Sequence, residues 1–109
     1  MTLGHNPSES LKLAQAALAV FEKQLGPMDA RTGAAYGTLG AALAMQGNVA
    51  EAERMFRRAL AIVEKAHGPK APETASALEN LADLLAQTGR ELAALPLLDR
   101  AQKIRAGSH

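Results

Sequence analysis

The sequence predicts an all-α fold, a stack of antiparallel helical hairpins, and three observations carry that expectation. First, the 109-residue chain matches itself at an offset of 42, so that Leu18-Ala19-Val20-Phe21-Glu22-Lys23 falls on Leu60-Ala61-Ile62-Val63-Glu64-Lys65. A fixed period of this length marks a unit that cannot bury its apolar face alone and stacks on copies of itself. Second, the helix breakers keep the same step: Gly26-Pro27 recurs as Gly68-Pro69, and Gly47 as Gly89. Third, hydrophobic residues make up 48% of the chain while aromatics make up only 3%, which leaves alanine as the main apolar residue. Alanine has the highest helix propensity and lets helices approach closely.

The breakers divide the chain into five helices, expected at residues 7–25, 30–46, 49–66, 72–88 and 91–105. The first opens on Asn6-Pro7-Ser8-Glu9, a capping residue, a proline at the first helical position and a glutamate three residues after the cap. Leu39, Ala42 and Leu43 give the second helix an apolar face. In the third, Ala52, Met55, Phe56, Ala59, Leu60 and Ile62 recur at helical spacing, and Leu78, Leu81 and Leu85 do so in the fourth. The fifth contains Pro96, expected so early in the helix that its cost falls well below the interior value of about 3 kcal/mol. Glycine and proline end each helix, because glycine accepts a left-handed cap and proline cannot continue the helix. Short loops make neighbours antiparallel. The chain is thus expected to be one domain over 1–106, a half repeat (7–25) followed by repeats at 30–66 and 72–105. Residues 107–109 read as the start of an expression tag.

Composition narrows function by exclusion. A formal net charge of +1 gives no case for nucleic acid or an anionic membrane as partner. Without cysteine there is no disulfide, thiol nucleophile or thiolate metal site. No apolar run reaches the length of a membrane span, and the first residues lack the pattern of a signal peptide, so a cytoplasmic location is expected. His5, His67 and His109 show no metal-binding spacing. Glu79 and Asp83 share one helix face and cannot flank a substrate from two sides. Gly33, Gly37 and Gly40 follow no strand, so no phosphate loop is expected; Gly40 reads as a close-packing position, and Gly33 and Gly37 as leaving a helix surface bare. Arg54, Arg57, Arg58, Arg100 and Arg105 are interspersed with glutamates and read as a solvated outer face. No catalytic residue, metal site or cofactor is expected, and the chain is read as a non-enzyme.

Tyr36-x-x-Leu39-Gly40-x-x-Leu43, followed by Gly47, Ala52, Phe56 and Ala59, resembles a tetratricopeptide repeat. Leu78-x-x-Leu81-Ala82-x-x-Leu85, followed by Gly89, Ala94, Leu98 and Ala101, is a second copy. The 42-residue period exceeds that family's usual 34 and is similar to the repeats of kinesin light chains and their bacterial relatives, so a bacterial source is expected. The resemblance covers about residues 8–106. It implies a right-handed α-solenoid whose concave surface holds a peptide or helix of a protein partner, within a larger scaffold or sensor.

Carried over position by position, the resemblance implies a groove lined by Thr38, Ala41 and Met45 in the first full repeat and by Ser76, Glu79, Asn80, Asp83 and Gln87 in the second, with Ala34, Gly37 and Ala44 beside them. Asn80 matches the family's asparagine that holds a peptide backbone, since an amide both donates and accepts. Thr38 stands at the equivalent place and can do this only in part. Glu79 and Asp83 favour a partner that pairs apolar with basic residues, in an extended or a helical segment. The rival expectation is self-assembly: the apolar surplus of the end helices, Leu13 and Phe21 at one end and Leu95 and Leu98 at the other, would form a homodimer.

Overall fold

The computed structural model describes residues 7–107. Five helices follow one another as α1 (Pro7–Leu25), α2 (Ala30–Met45), α3 (Val49–His67), α4 (Pro72–Gln87) and α5 (Glu91–Arg105). Every expected helix is present, and no boundary departs by more than one residue. The expected cap Asn6, and Ser108 and His109 of the expected tag, lie outside the described residues.

Each helix packs against its neighbours in sequence, and the one contact that skips a helix is a light one between α2 and α4. The resulting body measures 47 × 35 × 26 Å. Its radius of gyration of 14.3 Å exceeds the roughly 13 Å of a compact domain this size, as a one-dimensional stack requires.

Two kinds of connection recur at the 42-residue offset. Within each hairpin, Gly47 (φ +83°) and Gly89 (φ +81°) take left-handed backbone. The next amide then reaches back over the helix end, Asn48 N–H to the Leu43 carbonyl at 2.9 Å and Arg90 N–H to the Leu85 carbonyl at 2.8 Å. This is the six-to-one closure that satisfies carbonyls left open at a helix C-terminus. Between hairpins, Thr32 Oγ1 donates to the Gly26 carbonyl at 2.8 Å and Thr74 Oγ1 to the Gly68 carbonyl at 2.7 Å. Both threonines are fully buried, and each joint is fixed by a hydrogen bond from the core to a half-buried glycine carbonyl. At the second joint Pro72 starts α4; at the first, the Asp29 side chain accepts from Arg31 N–H at 2.8 Å and caps α2.

The core runs through the stack as the periodicity anticipates. Leu39 and Leu43 of α2 meet Ala52, Phe56, Ala59 and Ile62 of α3, and Leu78, Leu81 and Leu85 of α4 are almost wholly buried. Glycines set how closely the helices approach. A Cβ on Gly40 would lie 3.0 Å from the Phe56 ring, as a close-packing position demands. Gly33 departs from expectation. A Cβ there would sit 2.9 Å from Ile62 Cγ2, so this glycine admits α3 rather than baring a surface.

Pro96 departs from expectation as well. It is the sixth residue of α5 and lies beyond Ala94, whose amide already bonds the Arg90 carbonyl. Its missing N–H therefore removes a bond that the Leu92 carbonyl would have accepted. Leu92 is 83% exposed, so water can reach that turn and temper the loss.

The arginines of the outer face are engaged with carboxylates or a ring. Arg54 pairs with Glu51 at 3.0 Å, and Glu53 receives both Arg57 and Arg90. Arg100 reaches Glu64 at 2.7 Å. One repeat earlier the same positions are Arg58 and Glu22, and Tyr36 stands between them. The Tyr36 hydroxyl donates to Glu22 at 2.7 Å, while the Arg58 guanidinium lies 5.3 Å from the ring centroid. Burial and the Glu22 bond raise the Tyr36 pKa, with Arg58 opposing. Leu78 replaces Tyr36 in the second repeat, and there the two charges meet directly.

Candidate functional site

The first-helix positions of each hairpin, α2 and α4, stand apart over α3 and leave a cleft of about 660 Å³ between them. That volume is within the roughly 300–1,000 Å³ of pockets that enclose ligands. Its α2 wall carries almost no side chain: Ala34, Gly37 and Ala41 line it beside Thr38. Phe56, Ala59 and Val63 of α3 form an apolar floor, and Ser76, Ala77 and Asn80 of α4 form the opposite wall. Arg31, His67 and Glu73 line one end.

The cleft has a second, shallower copy. Ala14, Ala17 and Phe21 of α1 with Arg31, Ala34, Ala35 and Thr38 of α2 surround about 270 Å³. Shifted by 42, these are the positions of Phe56, Ala59, Val63, Glu73, Ser76, Ala77 and Asn80. The repeat thus builds the same depression twice, and only the copy between α2 and α4 has two walls.

Of the expected groove residues, Thr38, Ala41, Ser76 and Asn80 line this two-walled cleft, as do Ala34 and Gly37. Met45, Glu79, Asp83 and Gln87 do not. Met45 is exposed near the end of α2. Glu79 is held by Arg105 of α5 through two 2.8 Å bonds, and the same guanidinium donates to Ser76 Oγ at 3.0 Å. Those bonds depress the Glu79 pKa despite some desolvation. Glu79, Asp83 and Gln87 occupy the places of Gly37, Ala41 and Met45 one repeat on, the flank that faces away from α2. Asp83 and Gln87 are exposed there.

The polar groups of the cleft differ in what they can offer. The Asn80 amide is exposed and makes no hydrogen bond to another described residue, so its donor and acceptor both point to a partner or to water. Thr38 Oγ1 donates to the Ala34 carbonyl at 3.2 Å, which leaves it as an acceptor only. Arg31 is tied to Asp29 at 3.1 Å, and its hydrogen bonds hold the Asp29 carboxyl below the usual range. Glu73 has only the His67 ring nitrogen near it, at 4.0 Å. It is the least compensated charge at the cleft.

The α3 floor and His67 lie outside the expected groove because the resemblance assigns only the first helix of each hairpin to it; Arg31 and Glu73 are on those first helices, one turn before the expected positions. The 42-residue alignment carried the missing signal. Phe56, Ala59 and Val63 lie at three-to-four spacing on one apolar face of α3, fall on Ala14, Ala17 and Phe21 one repeat earlier, and are largely buried where they line the cleft. Among the described residues, no three histidine, cysteine or acidic side chains cluster as metal ligands. No helix of the described residues is long and apolar enough to cross a membrane.

Comparison with known proteins fits this architecture. The crystal structure of BtubC (BKLC) from P. vanneervenii superposes with a TM-score of 0.83 at 27% sequence identity, over 93% of this chain. The matched region spans 41% of that protein, so the chain corresponds to about two-fifths of it. The curated proteins contain no match. The sequence model of the tetratricopeptide repeat matches residues 4–65 and again 31–106, the second span overlapping the first by most of a repeat. The chain belongs to the tetratricopeptide repeat family.

Proposed function

We propose that the chain is a non-catalytic protein-interaction module that holds a segment of a partner protein in the cleft between α2 and α4. One observation carries this reading: a 660 Å³ apolar depression flanked by Asn80, whose amide has no other described partner. An apolar depression favours burial of an apolar side chain, and an amide at its rim can hold the backbone that carries it. The module fits a larger cytoplasmic scaffold or sensor, with neither nucleic acid nor membrane as its ligand. Asn80→Ala with Thr38→Val should weaken partner binding without changing the melting temperature. Unchanged binding with both substitutions would sink this reading.

Self-assembly is a second reading, favoured by a separate observation. Leu13 on α1 is 66% exposed, Val20 is exposed beside it, and Leu92, Leu95 and Leu98 are exposed on α5. Burial of such surface is worth about 25 cal/mol per Å². A dimer through α1 would close on itself, whereas α1-on-α5 stacking would extend without limit. Sedimentation at micromolar concentration separates the readings: twice the 11.4 kDa chain mass supports the dimer, and a monomer refutes it.

A further inference from the structure

Three glycines interrupt α2, and packing explains two of them. At Gly33 and Gly40 an added Cβ would press on Ile62 at 2.9 Å and on the Phe56 ring at 3.0 Å. At Gly37 it would meet only the Ala59 Cβ, at 3.9 Å, an ordinary contact. Gly37 has no positive φ that would demand glycine either. It therefore carries the helix-propensity cost of glycine with no structural return. What sets it apart is its place. It lines the bare wall of the cleft, opposite Ser76 and Asn80. One repeat on, Glu79 occupies this position, and its carboxylate is taken by Arg105 from α5, the helix that follows α4 as α3 follows α2.

We infer that Gly37 is a specificity-determining residue: its missing side chain keeps the cleft deep enough for one large apolar side chain of the partner, beside a basic residue that meets Glu73. This rests on the reading of the cleft as the partner site. The occupant is a peptide segment, for two reasons. The rim amide of Asn80 matches a peptide backbone, and among the described residues Glu73 at the mouth has only the His67 ring nitrogen, at 4.0 Å, as an opposing group once Arg31 is paired with Asp29. An apolar anchor with a neighbouring lysine or arginine satisfies floor and mouth together. A Cβ at Gly37 would enter that depth while meeting Ala59 only at an ordinary contact distance of 3.9 Å.

Selection of random displayed peptides on the 109-residue chain, followed by affinity measurement on variants, tests this. Selected peptides should share a large apolar residue with a lysine or arginine close by. Gly37→Leu should weaken them at least tenfold while its melting temperature equals or exceeds that of the parent, since leucine is the better helix former. Gly37→Ala should weaken them less, and Glu73→Lys should weaken them with loss of salt dependence. Peptides bound equally by Gly37→Leu but lost by Asn80→Ala would overturn the role of Gly37 and leave the cleft as the site. Insensitivity to Gly37→Leu and Asn80→Ala alike, or no enriched peptide, would overturn the cleft reading itself. A large fall in the melting temperature of Gly37→Leu would make the glycine a packing residue, and enrichment of acidic peptides would remove Glu73 from the account.

Discussion

Replacing each joint threonine by valine removes one hydrogen-bond donor and almost nothing else. Valine matches threonine in shape and β-branching, so packing and helix propensity change little. The hydroxyl of Thr32 is lost to the Gly26 carbonyl, which accepts no other hydrogen bond from a described residue. An unsatisfied buried acceptor costs about 1–3 kcal/mol. Gly26 is only half-buried, so water recovers part of this, and about 1–2 kcal/mol is expected for Thr32→Val. The Gly68 carbonyl keeps a second, long bond from the Ala71 amide at 3.4 Å. Thr74→Val should therefore cost less than Thr32→Val, though both sites look alike in sequence. Domains of this size lose roughly 4–8 °C in Tm per kcal/mol, so Thr32→Val should melt several degrees low. Urea unfolding followed by far-UV circular dichroism gives both free energies, provided the slope is unchanged. If Thr32→Val were as stable as the parent, or Thr74→Val the costlier change, the joints would not be held by these hydroxyls.

Other outcomes follow from the same structure. Leu81→Ala, at a fully buried position in the middle of the core, should cost about 2–5 kcal/mol, measured by the same urea titration. Glu53 has its pKa lowered by hydrogen bonding to Arg90 first and Arg57 next, and Glu79 by Arg105. A depressed folded pKa contributes stability that is full above the ordinary carboxylate value of 4.5 and is lost as pH falls through the lower folded value. Stability should thus decline below about pH 4.5, and Glu53→Gln should flatten that decline in acid titrations followed by circular dichroism. Native-state hydrogen exchange should show α2 and α4 protected longest. Each has eight buried residues, whereas α5 has only Ala94 and Ala101.

The fold was legible in the sequence because each signal had a duplicate. Gly47 and Gly89, or Leu39 and Leu81, had to agree at one offset, so a chance glycine or leucine could not mislead. Thr38, Ala41, Ser76 and Asn80, which the family resemblance implies for a groove, line the cleft between α2 and α4. What escaped depended on distances between side chains. The 42-residue offset puts Gly33 on Ala75 and Gly37 on Glu79, but only the approach of Ile62 shows that Gly33 is a packing position. Glu79 reads as an available acid until α5 brings Arg105 onto it from 26 residues away. Pro96 departs from expectation although the start of α5 falls where the sequence puts it: the sixth helical residue lies beyond the first amides that lack an intrahelical partner.

Because each helix touches little beyond its sequence neighbours, cooperativity in this chain is passed along a line rather than through a common centre. Loss of order at α1 or α5 removes one interface, where in a bundle it would remove several. The walls of the cleft are α2 and α4, each flanked on both sides, and its floor α3 is the middle helix of the five. Thermal excursions therefore begin at the outer helices and reach the cleft last. The end helices act as sacrificial layers, and the surface that we assign to recognition keeps its shape through fluctuations that would already register as partial unfolding of the chain.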